Sequence, residues 1–284
     1  MNEPKRHHYV PSSYQELFRN QETNELYRLD KVTGKSTRHN PDNKLFKNHL
    51  YTLENPPADV HRTYIEKPLL SKLDGRFKDA IVKMTNDIGN IDKSTLAVCV
   101  SFLRNRTPSR IQEFGEHASQ NKLIEIYEHI KSSPEEIEKA KLNGCNLTTF
   151  EDFKVSLQGI TVSAGKDYNL QGFLLSSSLQ SADFFEMQWT LLISNSKSFI
   201  TSDKPVTAVE ECDEDNCKTS QYYLIPLSSK FCIKIYFFEG SLDIHEVEED
   251  EVDEINKAIA FCAESLIVGP SEQDLHRIFK EIAL

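Results

Sequence analysis

Two adjacent histidines close to the start of the chain are the residues best suited to chemistry. His7 and His8 stand in the run Arg-His-His-Tyr-Val-Pro, which ends at Pro11. An imidazole can act as a general base, a general acid or a metal ligand near neutral pH, and proline restricts the backbone behind the pair. Neighbouring residues on a strand point to opposite faces, so we expect one histidine to enter a site, with His8 favoured. The alternative is that one points to solvent and the other caps a turn.

A cluster of arginines forms the second candidate. Arg106 and Arg110 are four residues apart at the end of an apolar helix, so the spacing places them on one helical face, while Arg104 projects elsewhere. Planar guanidinium groups suit a phosphate or a cluster of carboxylates, which they can hold at two points. The alternative is that these arginines form salt bridges to the acidic C-terminal half.

The third candidate lies at the end of a predicted strand over residues 198–202. Ser202 and Asp203 are followed by the cation Lys204, and Pro205 prevents the strand from continuing. A carboxylate in this position is a common metal ligand or base, whereas the alternative is a simple Asx-turn. Asp203 and His8 are therefore the candidate ligands for a divalent metal, Mg²⁺ or Mn²⁺.

The elements that must position these residues change in character along the chain. Apolar residues at three- to four-residue spacing predict helices over most of residues 59–187. A hairpin is predicted over 25–38, and strands followed by closing helices over 188–284. We expect one α+β domain with three parts: an N-terminal motif segment with its hairpin (1–58), a helical part (59–187), and a C-terminal antiparallel or mixed sheet flanked by helices (188–284).

Charge is distributed unevenly over this acidic chain, whose net charge is −11. Residues 1–110 hold 19 of the 33 Lys and Arg but 13 of the 44 Asp and Glu, a local balance of +6, and the remainder carries −17. An anionic ligand is therefore expected to bind the first third, although a basic layer packed on an acidic one would look the same. The overall negative charge argues against general nucleic-acid binding.

Several classes of protein lose support from the sequence. No apolar run approaches the ~20 residues of a membrane helix, and no signal peptide is recognisable, so we expect a cytoplasmic protein with reduced cysteines. The glycine-rich motifs that bind nucleotide cofactors are absent. Cys212 and Cys217 flank an acidic loop that lacks the second Cys/His pair of a zinc site.

Taken together, three motifs resemble the bacterial domain-of-unknown-function family DUF4238. They are His8-Tyr9-Val10-Pro11, Arg106-Thr107-Pro108 with Arg110, and Ser202-Asp203-x-Pro205-Val206. The resemblance spans about residues 5 to 268 and implies a shared fold and a common set of positions. Lys204 departs from the pattern, because the family commonly has Asn after the Ser-Asp pair.

These residue types favour an enzyme that cleaves a phosphodiester, such as a nuclease of the bacterial defence or toxin type. His8, with His7, would transfer protons, Arg106 would stabilise phosphate charge, and Asp203 would hold a metal or orient the histidine. Nucleic acid or a nucleotide would then be the partner, and we expect the three segments to meet in a cleft. The residues expected to bind the ligand are Tyr9, Arg104, Arg110, Ser202 and Lys204. The alternatives are a non-enzymatic regulatory or binding module for an anionic ligand or protein partner, and a purely structural polar network.

Overall fold

Five of the described α-helices begin after a side chain that caps their first turn, namely that of Asp92, Thr107, Ser133, Thr149 or Ser271. The computed structural model describes residues 5–157, 163–213 and 218–283. Its α-helices are α1 Ser12–Gln15, α2 Ser71–Asn86, α3 Lys93–Asn105, α4 Pro108–Lys131, α5 Pro134–Leu142, α6 Phe150–Ser156, α7 Lys166–Glu186, α8 Glu249–Cys262 and α9 Glu272–Ile282. A π-helical turn, Ile65–Leu70, leads into α2, and short 3₁₀ turns cover Glu16–Phe18 and Pro41–Asn43.

The boundary between α3 and α4 decides where the arginines point. Helix α3 ends at Asn105, and Thr107 caps α4 by accepting a hydrogen bond from the backbone N–H of Arg110. The interruption predicted at Pro108 is confirmed, because proline at the first helical position cannot continue the preceding helix. The prediction that Arg106 and Arg110 share one helical face is wrong, since they belong to different elements.

The strands form three sheets. They are β1 Arg6–His8, β2 Tyr27–Asp30, β3 Ser36–Arg38, β4 Phe46–Asn48, β5 Met187–Ser194, β6 Thr201–Ser202, β7 Thr207–Asp213, β8 Lys218–Pro226, β9 Phe231–Glu239, β10 Leu242–Val247 and β11 Leu266–Gly269. One sheet has the order β10-β5-β9-β8-β7, a second has β3-β2-β11-β6, and β1 pairs with β4 alone. Pairing is antiparallel except between β10 and β5. The fold is therefore α+β, as predicted.

The five-stranded sheet is covered on both faces because apolar residues alternate along its strands. Trp189, Leu191 and Ile193 of β5 pack with residues of α1, α2 and α3. Leu192 on the opposite face packs with residues of α8, α9 and the four-stranded sheet. A third apolar cluster joins Tyr51 to residues of α3, α4 and α7. Tyr9 of the first motif packs against this third cluster and also against the first, in which Val10 is buried.

Three strands of the described residues were not predicted: β4, β7 and β10. Leu242–Val247 carries charged residues and lies at the edge of the sheet, so its composition differs from that of a buried strand. Thr207–Asp213 extends into the acidic stretch that was interpreted as a loop. The rest of that stretch, residues 214–217, lies outside the described residues, as does the side chain of Cys212.

Candidate functional site

The inner face of β1 carries His7, which is fully buried. Its Nδ1 accepts a hydrogen bond from the backbone N–H of Tyr51 at 3.0 Å, and its ring stacks on the Tyr51 ring with centroids 5.7 Å apart. His7 therefore caps the turn that follows β4, which is the alternative that the sequence left open for one of the two histidines. Burial and stacking of this kind indicate a structural role.

His8 points the other way and is partly exposed. Its ring contacts the edge of Phe46 with centroids 5.6 Å apart, and Nε2 is buried without a hydrogen bond to any described residue. Burial lowers the pKa of His8, Arg106 lowers it further, and backbone and charge of Asp42 oppose the shift. The imidazole is thus the neutral, proton-accepting form at neutral pH.

Arg6 shares the outer face with His8 because the two are two residues apart on the strand. Its exposed guanidinium lies 4.9 Å above the ring centroid of Phe46, and Nη1 is 3.5 Å from Oδ1 of Asn43. Phe46 therefore supports both a cation and an imidazole. Sequence reasoning did not select Arg6, although its spacing from His8 on a predicted strand was the available signal.

Arg106 lies beneath β1 and is only 2% exposed. Its Nη1 contacts Oδ1 of Asp74 at 2.6 Å, and its Nη2 donates to the backbone carbonyl of His8 at 2.7 Å. Burial opposes the charge, but Asp74 and Tyr51 outweigh it and raise the pKa of Arg106. This arginine fixes the backbone of His8. It is a positioning residue, and its partner is not in the acidic C-terminal half.

Glu66 joins this cluster, and sequence reasoning missed it. It lies in the π-helical turn before α2, and its Oε2 is buried without a hydrogen bond to any described residue. Burial raises the pKa of Glu66 to about 7, Arg106 opposes the shift, and Asp74 adds to it. The sequence signal for Glu66 was Pro68, which interrupts the predicted helix. The interruption coincides with a π-helical turn, and such turns are often found at functional sites.

Asp203 holds the connection between α8 and β11. Its Oδ1 accepts a hydrogen bond from the backbone N–H of Glu264 at 2.9 Å. Its Oδ2 accepts from the backbone N–H and hydroxyl of Ser265, both at 2.7 Å, and from the N–H of Leu266 at 3.0 Å. Burial raises the pKa of Asp203, and these hydrogen bonds oppose the shift. Both oxygens accept hydrogen bonds from residues 264–266. This arrangement differs from an Asx-turn, in which the carboxylate would accept from the backbone next to it, and it is not one that a metal ligand requires.

The structure therefore brings the motifs together in two pairs. His8 meets Arg106 through its backbone. Burial raises the pKa of Tyr9 to about 12, and the charges of Asp203 and Glu264 add to the shift, so the first motif is coupled electrostatically to the third. Within the described ranges no hydrogen bond or ion pair joins the His8 side chain to Asp203. Cavities of 340 to 450 Å³ elsewhere on the described surface are lined by other residues.

The remaining candidates are distributed around this centre. Ser202 is fully buried, and its hydroxyl accepts a hydrogen bond from the backbone N–H of Lys204 at 3.1 Å. Arg104 in the last turn of α3 contacts Gln180, and Arg110 in the first turn of α4 contacts Glu113. No group of three or more His, Cys, Asp or Glu side chains arranged to hold a metal is found in the described part of the chain.

One family model matches residues 6–273, and its description is a protein of unknown function (DUF4238). The chain belongs to the DUF4238 family. No curated protein and no solved structure matches it. Across the described residues of this DUF4238 protein, no helix is long and apolar enough to cross a membrane. The match extends from the strand that carries His8 to the first turn of α9, so it includes all three motifs.

Proposed function

We propose that this DUF4238 protein is a nuclease-like enzyme that cleaves a phosphodiester bond, with His8 as the residue that transfers the proton. One observation carries the proposal: a partly exposed imidazole, kept neutral by burial, lies on a fixed strand beside the exposed guanidinium of Arg6. A general base must be unprotonated at the working pH. A guanidinium can bind a phosphate at two points.

The chemistry follows from these two groups. His8 accepts a proton from the attacking hydroxyl, which belongs to water or to the 2′-position of RNA, while the new O–P bond forms. The bond from phosphorus to the leaving oxygen breaks, and that oxygen takes a proton from the imidazolium or from solvent. Arg6 stabilises the negative charge that develops on the non-bridging oxygens. RNA is the favoured substrate because its 2′-hydroxyl supplies the nucleophile within the substrate.

In this proposal, Arg106 and Asp203 have roles that differ from those predicted for them from the sequence. Arg106 acts through the backbone of His8, to which it donates at 2.7 Å, and Arg6 replaces it as the phosphate-binding cation. Asp203 holds the start of β11 instead of orienting the imidazole. Dependence on Mg²⁺ or Mn²⁺, a cytoplasmic location and a role in bacterial defence or as a toxin stay predictions.

A cleavage assay with purified protein tests the proposal. Labelled single-stranded RNA, the same sequence as DNA, and double-stranded RNA are incubated with and without Mg²⁺ and Mn²⁺. We expect cleavage of RNA, reduced roughly 100- to 10,000-fold in His8→Ala, the range usual for a general acid–base group. His117→Ala is the matched control, because His117 is exposed on α4 away from the motif. Equal cleavage by both variants would refute the role of His8.

A second candidate, a non-enzymatic module that binds an anionic ligand or a protein partner, is favoured by a separate observation. The charged groups of Arg106 and Asp203 both contact groups of the chain itself. Arg106 and Asp203, two of the three motif residues, therefore hold parts of the fold together. This is expected of a protein whose polar network is structural and which binds a ligand at its surface. If the protein is such a binding module, we expect wild-type protein to cleave none of the substrates. We expect His8→Ala to fold normally and to lose ligand binding.

A further inference from the structure

A cavity of about 450 Å³ lies between three segments that are distant in the sequence. Its walls are residues 19–22 after the first 3₁₀ turn, residues 194–198 after β5, and residues 229–230 between β8 and β9. Every described residue that lines the cavity carries a polar or charged side chain. Most small-molecule pockets are lined mainly by apolar and aromatic groups. The composition of these walls therefore favours a hydrophilic ligand.

The turn between β8 and β9 is joined through its backbone to the segments of both other walls. The N–H of Ser229 donates to the carbonyl of Leu17 at 3.1 Å, and its carbonyl accepts from the N–H of Phe199 at 2.9 Å. The carbonyl of Lys230 accepts from the N–H of Ser194 at 3.0 Å. These hydrogen bonds fix the positions of the three walls relative to one another.

The other two walls are also held by side chains. In the first wall, Oδ1 of Asn20 accepts hydrogen bonds from two backbone N–H groups of its own turn, each at 2.9 Å. In the second, Asn256 of α8 is 3% exposed, donates to the carbonyl of Ser198 at 2.9 Å, and accepts from the N–H of Ile200 at 3.0 Å. A site whose walls are already ordered loses less entropy when a ligand binds.

Several polar groups in the cavity are left for a ligand. Ser229 is only 8% exposed, and its hydroxyl forms no hydrogen bond to any described residue. The side chains of Gln21, Asn195 and Ser196 also line the cavity without a hydrogen bond to a described side chain or backbone group. A polar group as deeply buried as that of Ser229 normally has a partner. A hydroxylated ligand in the cavity supplies it.

The charges of the lining point to an anionic group on this ligand. Arg19 and Lys197 form ion pairs with carboxylates that lie outside the lining. Lys230 forms no ion pair with any described residue, and its Nζ lies 5.8 Å from the ring centroid of Phe231. The ammonium of Lys230 is therefore available for an anion. Glu22, the acid among the described lining residues, can accept hydrogen bonds from ligand hydroxyls.

We propose that this cavity binds a phosphorylated sugar. Lys230 and the hydroxyl of Ser229 contact the phosphate, and the carboxylate and amide groups of the other two walls contact the sugar hydroxyls. A nucleotide fits less well, because the described lining offers no aromatic or apolar side chain against which a base can stack. The site goes beyond the proposed cleavage activity, since none of its described residues belongs to β1, which carries His8.

Equilibrium binding tests the site. Glucose 6-phosphate and ribose 5-phosphate are titrated by calorimetry into the full-length protein, beside glucose and inorganic phosphate. We expect at least one sugar phosphate to bind, and to bind more tightly than glucose or inorganic phosphate, because each of these makes only part of the contacts. Lys230→Gln should weaken this binding about tenfold, the loss of one charge-assisted hydrogen bond. Ser229→Ala, which keeps the backbone contacts, should weaken it about threefold.

Lys78→Gln is the matched control, because Lys78 is exposed on α2 and does not line the cavity. The proposal is overturned if neither sugar phosphate binds, or if glucose or inorganic phosphate binds as tightly as the sugar phosphates. It is also overturned if Lys230→Gln and Ser229→Ala both bind as tightly as the control. Thermal melts of every variant show that it is folded. Because turnover is not measured, a failure of RNA cleavage leaves this result unaffected.

Discussion

The two faces of β1 place adjacent residues in opposite environments. On the inner face, His7 caps a turn against Tyr51, and Arg106 crosses beneath the strand to hold its backbone. On the outer face, the Arg6 guanidinium and the His8 ring both contact Phe46, and Nε2 of His8 has no hydrogen bond to a described residue. One short motif thus contains a structural half and a half available for chemistry.

The comparison gives different expectations for the two faces. Buried polar groups with satisfied hydrogen bonds contribute to stability, and removing one partner leaves the other unsatisfied. Partly exposed groups contribute little to stability, so substitutions there should act on function. Measurements of unfolding and of cleavage on the same variants can therefore separate the faces.

The largest effect is expected for Arg106→Ala. Removing one partner of a buried ion pair typically costs about 3–5 kcal/mol, and we expect about 3 kcal/mol because the Asp74 side chain is 24% exposed. Urea denaturation at pH 7 measures the free energy of unfolding. Arg38→Ala, at the 78% exposed arginine, should change it by about 0.5 kcal/mol or less. A similar change in both variants would contradict the structural role of Arg106.

His7→Ala should lower the free energy of unfolding by about 2–3 kcal/mol. The substitution removes a fully buried ring and leaves the backbone N–H of Tyr51 without its acceptor. His8→Ala, on the neighbouring position, should cost about 1 kcal/mol or less. Urea denaturation of the two variants side by side is the measurement. If His8→Ala proves the more destabilising, the assignment of inner and outer faces is reversed.

The sequence predicted that His7 and His8 point to opposite faces and favoured His8 for the site, but it did not predict the contacts that bury His7. Alternation along a strand is a local property, so it follows from the chain that His7 and His8 separate. Which of them is buried depends on Tyr51 and on the third apolar cluster, contributed by residues more than forty positions away. Thr107-Pro108 was a readable boundary, whereas the partners of Asp203 lie some sixty residues further on. Helix ends were therefore predictable, and contacts between distant segments were not.

Glu66→Gln should change how stability depends on pH. The pKa of Glu66 is raised to about 7 in the folded chain, so the folded protein retains a proton that the unfolded chain releases near its ordinary pKa of ~4.3. The contribution of this proton to the free energy of unfolding is fully present below the ordinary pKa, and it is lost as the pH rises through about 7. We expect Glu66→Gln to be more stable than wild type at pH 8 by about 2 kcal/mol, discounted for partial exposure.

Urea denaturation of Glu66→Gln and wild type from pH 5 to 8 gives this difference. The two proteins should converge at the acidic end, because the protonated carboxyl and the amide are both neutral. Glu125→Gln, at an exposed glutamate on α4, is the control and should follow the wild-type profile. Parallel profiles for Glu66→Gln and wild type would show that Glu66 is ionised throughout.

The smallest effect on stability is expected for Arg6→Gln. Arg6 is exposed on the outer face, so its unfolding free energy should change by about 0.5 kcal/mol or less. Cleavage of RNA should nevertheless fall about tenfold or more, because the phosphate loses a charge-assisted contact. Arg38→Gln provides the comparison in both measurements. Unchanged cleavage would remove Arg6 from the site and leave His8 without a neighbouring cation.

The four-stranded sheet also bears on the order of events during synthesis. Strand β11 lies between β2 and β6, and its Leu266 and Gly269 pair with Asp30 and Tyr27 near the other end of the chain. Because the ribosome releases the N-terminal part of the chain first, β2 emerges more than two hundred residues before its neighbour β11. Contacts of such wide sequence separation slow folding. One edge of β2 therefore stays unpaired until β11 has been synthesised, and an unpaired strand edge is the kind of surface on which misassembly begins and chaperones act.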